Sequence, residues 1–242
     1  MRRIPPPNNG LPPILRSATV LVVTAHPDDE SYAAAGTIRT IVALGGQAHL
    51  VCATHGERGT SHLKSPMSAQ RLGRLRAKEL RAAGKVLSLS SIRIFHFPDG
   101  KVSQYTSSFF RKLSDRCSQI HVDAILSFGA DGISGHVDHI SVGNAARKVA
   151  QKNHIPFIQF SLPPTIQHQA QQFLRSRRKS THYANAIKYQ QPNWRIVVNQ
   201  RIKKQALRSH VSQLDGSDAF TGFPPFAVRE LLKYEYLLKP RK

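Results

Sequence analysis

Apolar positions along the chain come in short blocks separated by polar, turn-rich stretches. TVLVVTA, from Thr19 to Ala25, is an apolar, β-branched run and predicts a strand buried on both faces. AHPDDE interrupts it, and SYAAAGTIRTIVALGG predicts a helix ending at Gly45–Gly46. QAHLVCAT is the next strand, THGERGTSHLKSP a loop, and MSAQRLGRLRAKELRAAGKVL a helix carrying Leu72, Leu75 and Leu80. SIRIFHF predicts a third strand, closed by Pro98-Asp99-Gly100. SQYTSSFFRKLSDRCSQI is a helix and VDAILSFG a fourth strand. GADGISGHVDH then loops into the helix HISVGNAARKVAQKN. Beyond this the pattern weakens. IPFIQFSL and NWRIVVN read as further strands, and QRIKKQALRSHVSQL as a helix.

Strand and helix thus alternate four times in the first 155 residues. This predicts an α/β chain, a Rossmann-like three-layer sandwich whose mostly parallel sheet is covered by helices on both faces. Ligands in such folds sit at the carboxyl ends of the strands. AHPDDE, THGERG, FPDG and GADGISGHVDH each follow one of the four strands, so all four polar clusters fall at that edge. Residues 1–16 hold five of the fifteen prolines and predict an extended N-terminal arm with no core of its own. Residues 17–242 predict one domain whose C-terminal part is irregular and basic.

Composition narrows the classes. The chain has 242 residues, 35 Lys and Arg against 14 Asp and Glu, and a formal charge of +21. Cys52 and Cys117 cannot build a disulfide scaffold, so a cytoplasmic setting is the default. No apolar run approaches the ~20 residues of a bilayer span, and the start of the chain has no signal-peptide apolar region. The charge points first to nucleic acid, membrane surfaces or anionic ligands. Yet zinc-finger spacings are absent, and aromatics make up only 7% of residues. A solvated basic surface is therefore favoured over dedicated nucleic-acid binding.

The first strand ends in His26-Pro27-Asp28-Asp29-Glu30 rather than in a glycine-rich turn. Three carboxylates and an imidazole repel a phosphate and suit a divalent cation. His26 and Asp29 can face one ion while Asp28 points elsewhere. His139, in His136-Val137-Asp138-His139, can complete a His2Asp set with a position left open, the pattern of hydrolytic zinc sites.

AHPDDE and HVDH as a pair resemble the LmbE-like, or PIG-L, family of zinc-dependent N-acetylglucosaminyl deacetylases. The likeness runs from about Ala18 to Gln213, with weaker pieces at THGERG, RAKEL, FPDG and ALRSHVSQ. It implies one zinc per chain on His26, Asp29 and His139, with iron or another divalent metal as the substitute. It implies Asp28 as the general base, and His136 as the group that stabilises the oxyanion or protonates the leaving amine. Asp138 orients a histidine. The implied reaction removes an N-acetyl group from an N-acetylglucosamine-type sugar or its conjugate, by attack of zinc-activated water.

Arg58, Asp99 and His210 are candidate substrate-binding residues, with Gln213 three residues beyond His210 on the expected helix. Glu30 reads equally as a helix cap or as support for the ligands. His55, His62, His96 and His121 show no partner spacing, and Arg76 with Glu79 reads as an intrahelical pair. The competing readings are a metal-dependent amidase or phosphoesterase on another substrate, and a basic nucleic-acid-binding protein with a vestigial metal site, supported by the charge and the RSRRKS run (Arg175–Ser180). Residues 163–193 are a candidate lid or homo-oligomer contact.

Overall fold

The strand beginning at Thr19 lies mid-sheet because every one of its positions from Val20 to Val23 is apolar and fully buried. The computed structural model describes residues 8–59, 63, 66–176, 190–215, 218–220 and 224–240. Its strands are β1 (Asn8–Asn9), β2 (Thr19–Thr24), β3 (Gln47–Cys52), β4 (Ser91–Ile94), β5 (Ala124–Ser127), β6 (Phe157–Ser161), β7 (Trp194–Val197) and β8 (Tyr234–Leu238). Its α-helices are α1 (Asp29–Ala33), α2 (Ala35–Ala43), α3 (Ala69–Leu87), α4 (Thr106–Gln119), α5 (Val137–Lys152), α6 (Pro164–Ser176), α7 (Gln200–Arg208) and α8 (Pro225–Lys233).

These strands form one sheet in the order β1-β7-β8-β6-β5-β2-β3-β4. From β4 through β3, β2 and β5 to β6 all pairings are parallel, whereas β8 runs antiparallel between β6 and β7. Helices cover both faces, as the α/β reading expects. The chain winds outward in one direction from β2 to β4, then crosses back to β5. The strand order therefore reverses between β2 and β5, which opens a crevice beyond their carboxyl ends.

Three departures from the sequence pattern have physical causes. The helix expected from Ser31 to Gly46 is two helices, with Ala34 out of helical geometry between them. The first N–H groups of α2 are instead met by a buried carboxylate: Gly36 N and Thr37 N donate to Glu235 of β8 at 2.9 and 2.8 Å. The helix expected across residues 200–214 stops at Arg208. Ser212 N and Oγ donate to Glu79 of α3, both at 2.7 Å, which turns the chain into a 3-10 turn at Val211–Gln213. The proline-rich arm is anchored in its described part. Asn8–Asn9 pairs in parallel with Trp194–Arg195, and Leu11 and Leu15 are buried in the main core.

Within α6, the side chains around Arg175 and the RSRRKS residues Arg177–Ser180 lie outside the described residues, as do His62 and residues 181–189 of the candidate lid. Cys52 and Cys117 are free, buried thiols. Among the described residues no helix is long and apolar enough to cross a membrane.

Candidate metal centre

β2 delivers His26 through Glu30 into the crevice, and α5 delivers the second histidine group opposite. α5 can come this close to β5 because residue 143 is glycine: a Cβ there would collide with the Phe128 carbonyl. His136 stands at the N-cap of α5, so His136, Asp138 and His139 project from its first turn.

Asp29, the first residue of α1, is buried. Its Oδ2 accepts from Ala25 N (3.0 Å) and His26 N (2.8 Å), while Oδ1 lies 3.3 Å from His139 Nε2. The His139 ring stacks on Phe128 with centroids 4.0 Å apart, and its Nδ1 lies 3.0 Å from the Gly132 carbonyl. That carbonyl can accept a hydrogen bond from Nδ1, which frees the Nε2 lone pair for a cation, the arrangement usual for a metal-ligating histidine. His26 Nε2 lies 3.1 Å from Asp99 Oδ1 and 3.3 Å from Asp138 Oδ2. Its Nδ1 is 3.8 Å from Asp29 Oδ2.

The fully buried Asp138 also accepts from Gly100 N (2.6 Å) and Val102 N (3.0 Å), tying α5 to the FPDG loop. It contacts His26, across the crevice, through its side chain. Its own backbone N donates to His136 Nδ1 at 3.2 Å.

This donor set fits a divalent cation. His26, His136 and His139 bring ligand nitrogens within 4.8 Å of one another, and His26, Asp99 and Asp138 form a second such group. The expected set of His26, Asp29 and His139 is linked pairwise at 3.8 and 3.3 Å. The field is strongly negative. Burial opposes charge on His26, yet bonds to Asp138 and Asp99 and the charge of Asp29 outweigh it and raise its pKa to about 10. Burial likewise opposes ionisation of Asp29, but His139 and His26 hold its carboxyl well below the usual range. A cation placed here would take over from the proton that now balances these carboxylates. His136 behaves oppositely: burial, then the neighbouring imidazoles of His26 and His139, push it down to about 4.

Asp28 is held apart from this group. Its backbone sits at φ 107°, ψ −28°, a left-handed conformation that costs a non-glycine residue about 1–3 kcal/mol. Two contacts enforce it. Glu30 Oε2 accepts from Asp28 N at 3.0 Å, and Arg76 Nη2 donates to Asp28 Oδ2 at 2.8 Å. Burial raises the Asp28 carboxyl to about 6 against the pull of Arg76.

The substrate candidates occupy different places. Arg58 is exposed, and its backbone N donates to Asp99 Oδ2 at 2.9 Å. Asp99 is buried against His26, as described. His210 is buried beneath the site, with Nε2 2.8 Å from Glu30 Oε1. Glu30 thereby links His210 to the Asp28 backbone, a supporting rather than a capping arrangement.

Arg76 and Glu79, expected to pair within their helix, go to different partners. Arg76 reaches Pro27 O (2.6 Å), Gly56 O (2.8 Å) and Asp28, while Glu79 turns to Ser212. The visible signal for Arg76 was its place in the RAKEL segment. His55 and His96, which showed no partner spacing, meet at the ends of β3 and β4.

The profile of PIG-L, described as GlcNAc-PI de-N-acetylase, matches residues 21–150, which carry every metal-site residue named above. A probable N-acetyl-alpha-D-glucosaminyl L-malate deacetylase 2 of Bacillus anthracis is 32% identical over 128 residues, covering 52% of this chain and 56% of that protein. The chain thus matches little more than half of that relative's length. N,N'-diacetylchitobiose deacetylase from Pyrococcus horikoshii superimposes with a TM-score of 0.67 at 20% identity, over 93% of this chain and 84% of that one. The 4-carboxy-2-hydroxymuconate hydratase GalB from Pseudomonas putida does so with a TM-score of 0.63 at 21% identity, over 93% and 98%. At such identities the likeness shows the fold alone, which has hosted more than one reaction. With the profile covering more than half of its length and both histidine–aspartate motifs, the chain belongs to the PIG-L (LmbE-like) family.

Proposed function

We propose that this chain is a zinc-dependent N-deacetylase that hydrolyses the acetamide of an N-acetylglucosamine conjugate. One observation carries the reading. Three imidazoles and the carboxylates of Asp29, Asp99 and Asp138 converge on the crevice between β2 and β5, within the segment that matches the family.

His26, Asp29 and His139 would hold the ion, which supplies Lewis-acid polarisation for amide hydrolysis. The other steps belong to the chain's own groups. Asp28, poised near pH 6 and partly open to solvent, accepts the proton of the attacking water. His136 keeps Nδ1 as an acceptor for Asp138 N, so at neutral pH its proton sits on Nε2. That N–H can donate to the amide oxygen as negative charge builds there. The low pKa of His136 supports this role over that of a standing acid for the amine. Asp138 and Asp99 hold the His26 ring from one side. Arg58, exposed on the loop after β3, would meet hydroxyl or anionic groups of the conjugate.

The family description and the two deacetylase relatives share the acetamide of N-acetylglucosamine and differ in what the sugar is joined to: phosphatidylinositol, malate or a second sugar. The proposed substrate is accordingly a small amino-sugar conjugate defined by that acetamide. The test offers zinc-loaded protein these three conjugates and measures acetate. Release from one of them supports the reading. Release from none, with hydration of 4-carboxy-2-hydroxymuconate instead, overturns it.

A further inference from the structure

Outside the centre, two histidines meet that the proposed reaction does not use. His55 follows β3 and His96 follows β4, and these neighbouring parallel strands end in fixed register, Cys52 beside Ile94. Backbone bonds carry the register onward: Phe95 N donates to Cys52 O (2.8 Å) and Phe97 N to Ala53 O (3.2 Å). The imidazoles stack with centroids 4.7 Å apart and planes inclined by 27°, and His55 Nε2 lies 3.1 Å from His96 Nδ1.

We propose that His55 and His96 form a second metal site, for a divalent cation that prefers imidazole nitrogen, such as zinc, nickel or copper. Three features of the pair support it. First, the spacing is right. Nitrogens 3.1 Å apart, each about 2.05 Å from one ion, subtend about 98°, between octahedral and tetrahedral values. Second, the tautomer is set for ligation. His55 Nδ1 faces the Gly73 carbonyl at 3.4 Å, which favours the proton there and makes Nε2 the acceptor from His96 Nδ1, so a cation that displaces this one shared proton meets a lone pair on each ring. Burial also lowers the His55 pKa, which keeps the ring in its neutral, ligating form. Third, α3 is shaped to admit this ring: a Cβ on Gly73 would lie 3.1 Å from His55 Cβ and 3.2 Å from Glu57 Cβ, so glycine leaves the room.

The pair sits on loops that are already joined. Asp99 N donates to Glu57 Oε1 and Arg58 N to Asp99 Oδ2, both at 2.9 Å. Two ligands come from the chain, and water completes the shell, since His96 is exposed. The site is distinct from the centre, whose ligand atoms come from His26, Asp29, Asp99 and the first turn of α5.

Equilibrium dialysis of the full chain against Zn2+ at neutral pH, with bound metal measured in wild type, His96→Ala and His55→Gln, tests this. Wild type should bind one equivalent more than either variant, or bind that equivalent about tenfold or more tightly. His96 is exposed, so His96→Ala should fold as wild type does, which circular dichroism checks. Equal stoichiometry and affinity in all three proteins overturns the site. The comparison is a difference between proteins, so it stands whether or not the main centre takes zinc.

Discussion

Asp28 is the residue on which the proposed chemistry turns, because burial and Arg76 compete for its proton. It must be ionised to accept one from water. Its raised pKa of about 6 therefore places an acid limb in the rate profile: activity is full well above pH 6 and lost as pH falls through that value. Asp28→Asn should retain bound zinc and lose about 10²–10⁴-fold in kcat; loss of the metal instead would reassign Asp28 as a ligand. Arg76→Met removes the cation that lowers the Asp28 pKa, so the acid limb should move up by about one unit. An unmoved limb in a folded variant separates Arg76 from that carboxylate. At this scale the sequence made the site's titratable groups legible, because His26, Asp28, Asp29, Asp99, His136, Asp138 and His139 all follow strand ends. Arg76 was not legible. Its target depends on how α3 is rotated against the turn after β2, and helix rotation is not written in local spacing.

At the scale of elements, the β/α alternation was readable from β2 to α5 because each strand is a short apolar run closed by turn residues. β8 was not. YEYLL, with a glutamate at its second position, is assigned no element from the sequence. Glu235 is fully enclosed, capping α2 and pairing with Lys203 Nζ of α7 at 2.9 Å. Lys203 also donates to Tyr32 O at 2.7 Å, so one buried pair joins α1, α2, α7 and β8. Breaking a buried pair by removing one partner strands the other charge. Lys203→Met should thus lower unfolding stability by about 3–5 kcal/mol in urea titration. A loss below about 1 kcal/mol would mean that the pair contributes little to the joint. The same limit explains the divided helix at Ala34 and the stop at Arg208: both breaks are set by carboxylates from distant segments, Glu235 and Glu79.

For the molecule as a whole, the charge of +21 is the feature that composition alone made prominent. Among the described residues, part of the opposing charge is gathered in one crevice. Asp28, Asp29, Glu30, Asp99 and Asp138, five of the fourteen acidic residues, line or support the gap between β2 and β5. A local sink of negative charge in so basic a chain suits the binding of a cation. The arm illustrates what whole-chain reading could not supply. Its prolines indicate an extended segment, but only the assembled sheet offers β7 for Asn8–Asn9 to pair with and a core site for Leu15. The crevice is proposed to hold a metal that the hydrolysis of an N-acetylglucosamine amide requires. The most direct test is acetate release from such conjugates by protein stripped with a chelator and then reloaded with measured zinc. Stripped protein should show no turnover, and turnover should rise to a plateau at one zinc in the crevice and be lost in His26→Ala. Acetate release by fully stripped protein at the undiminished rate would contradict this requirement.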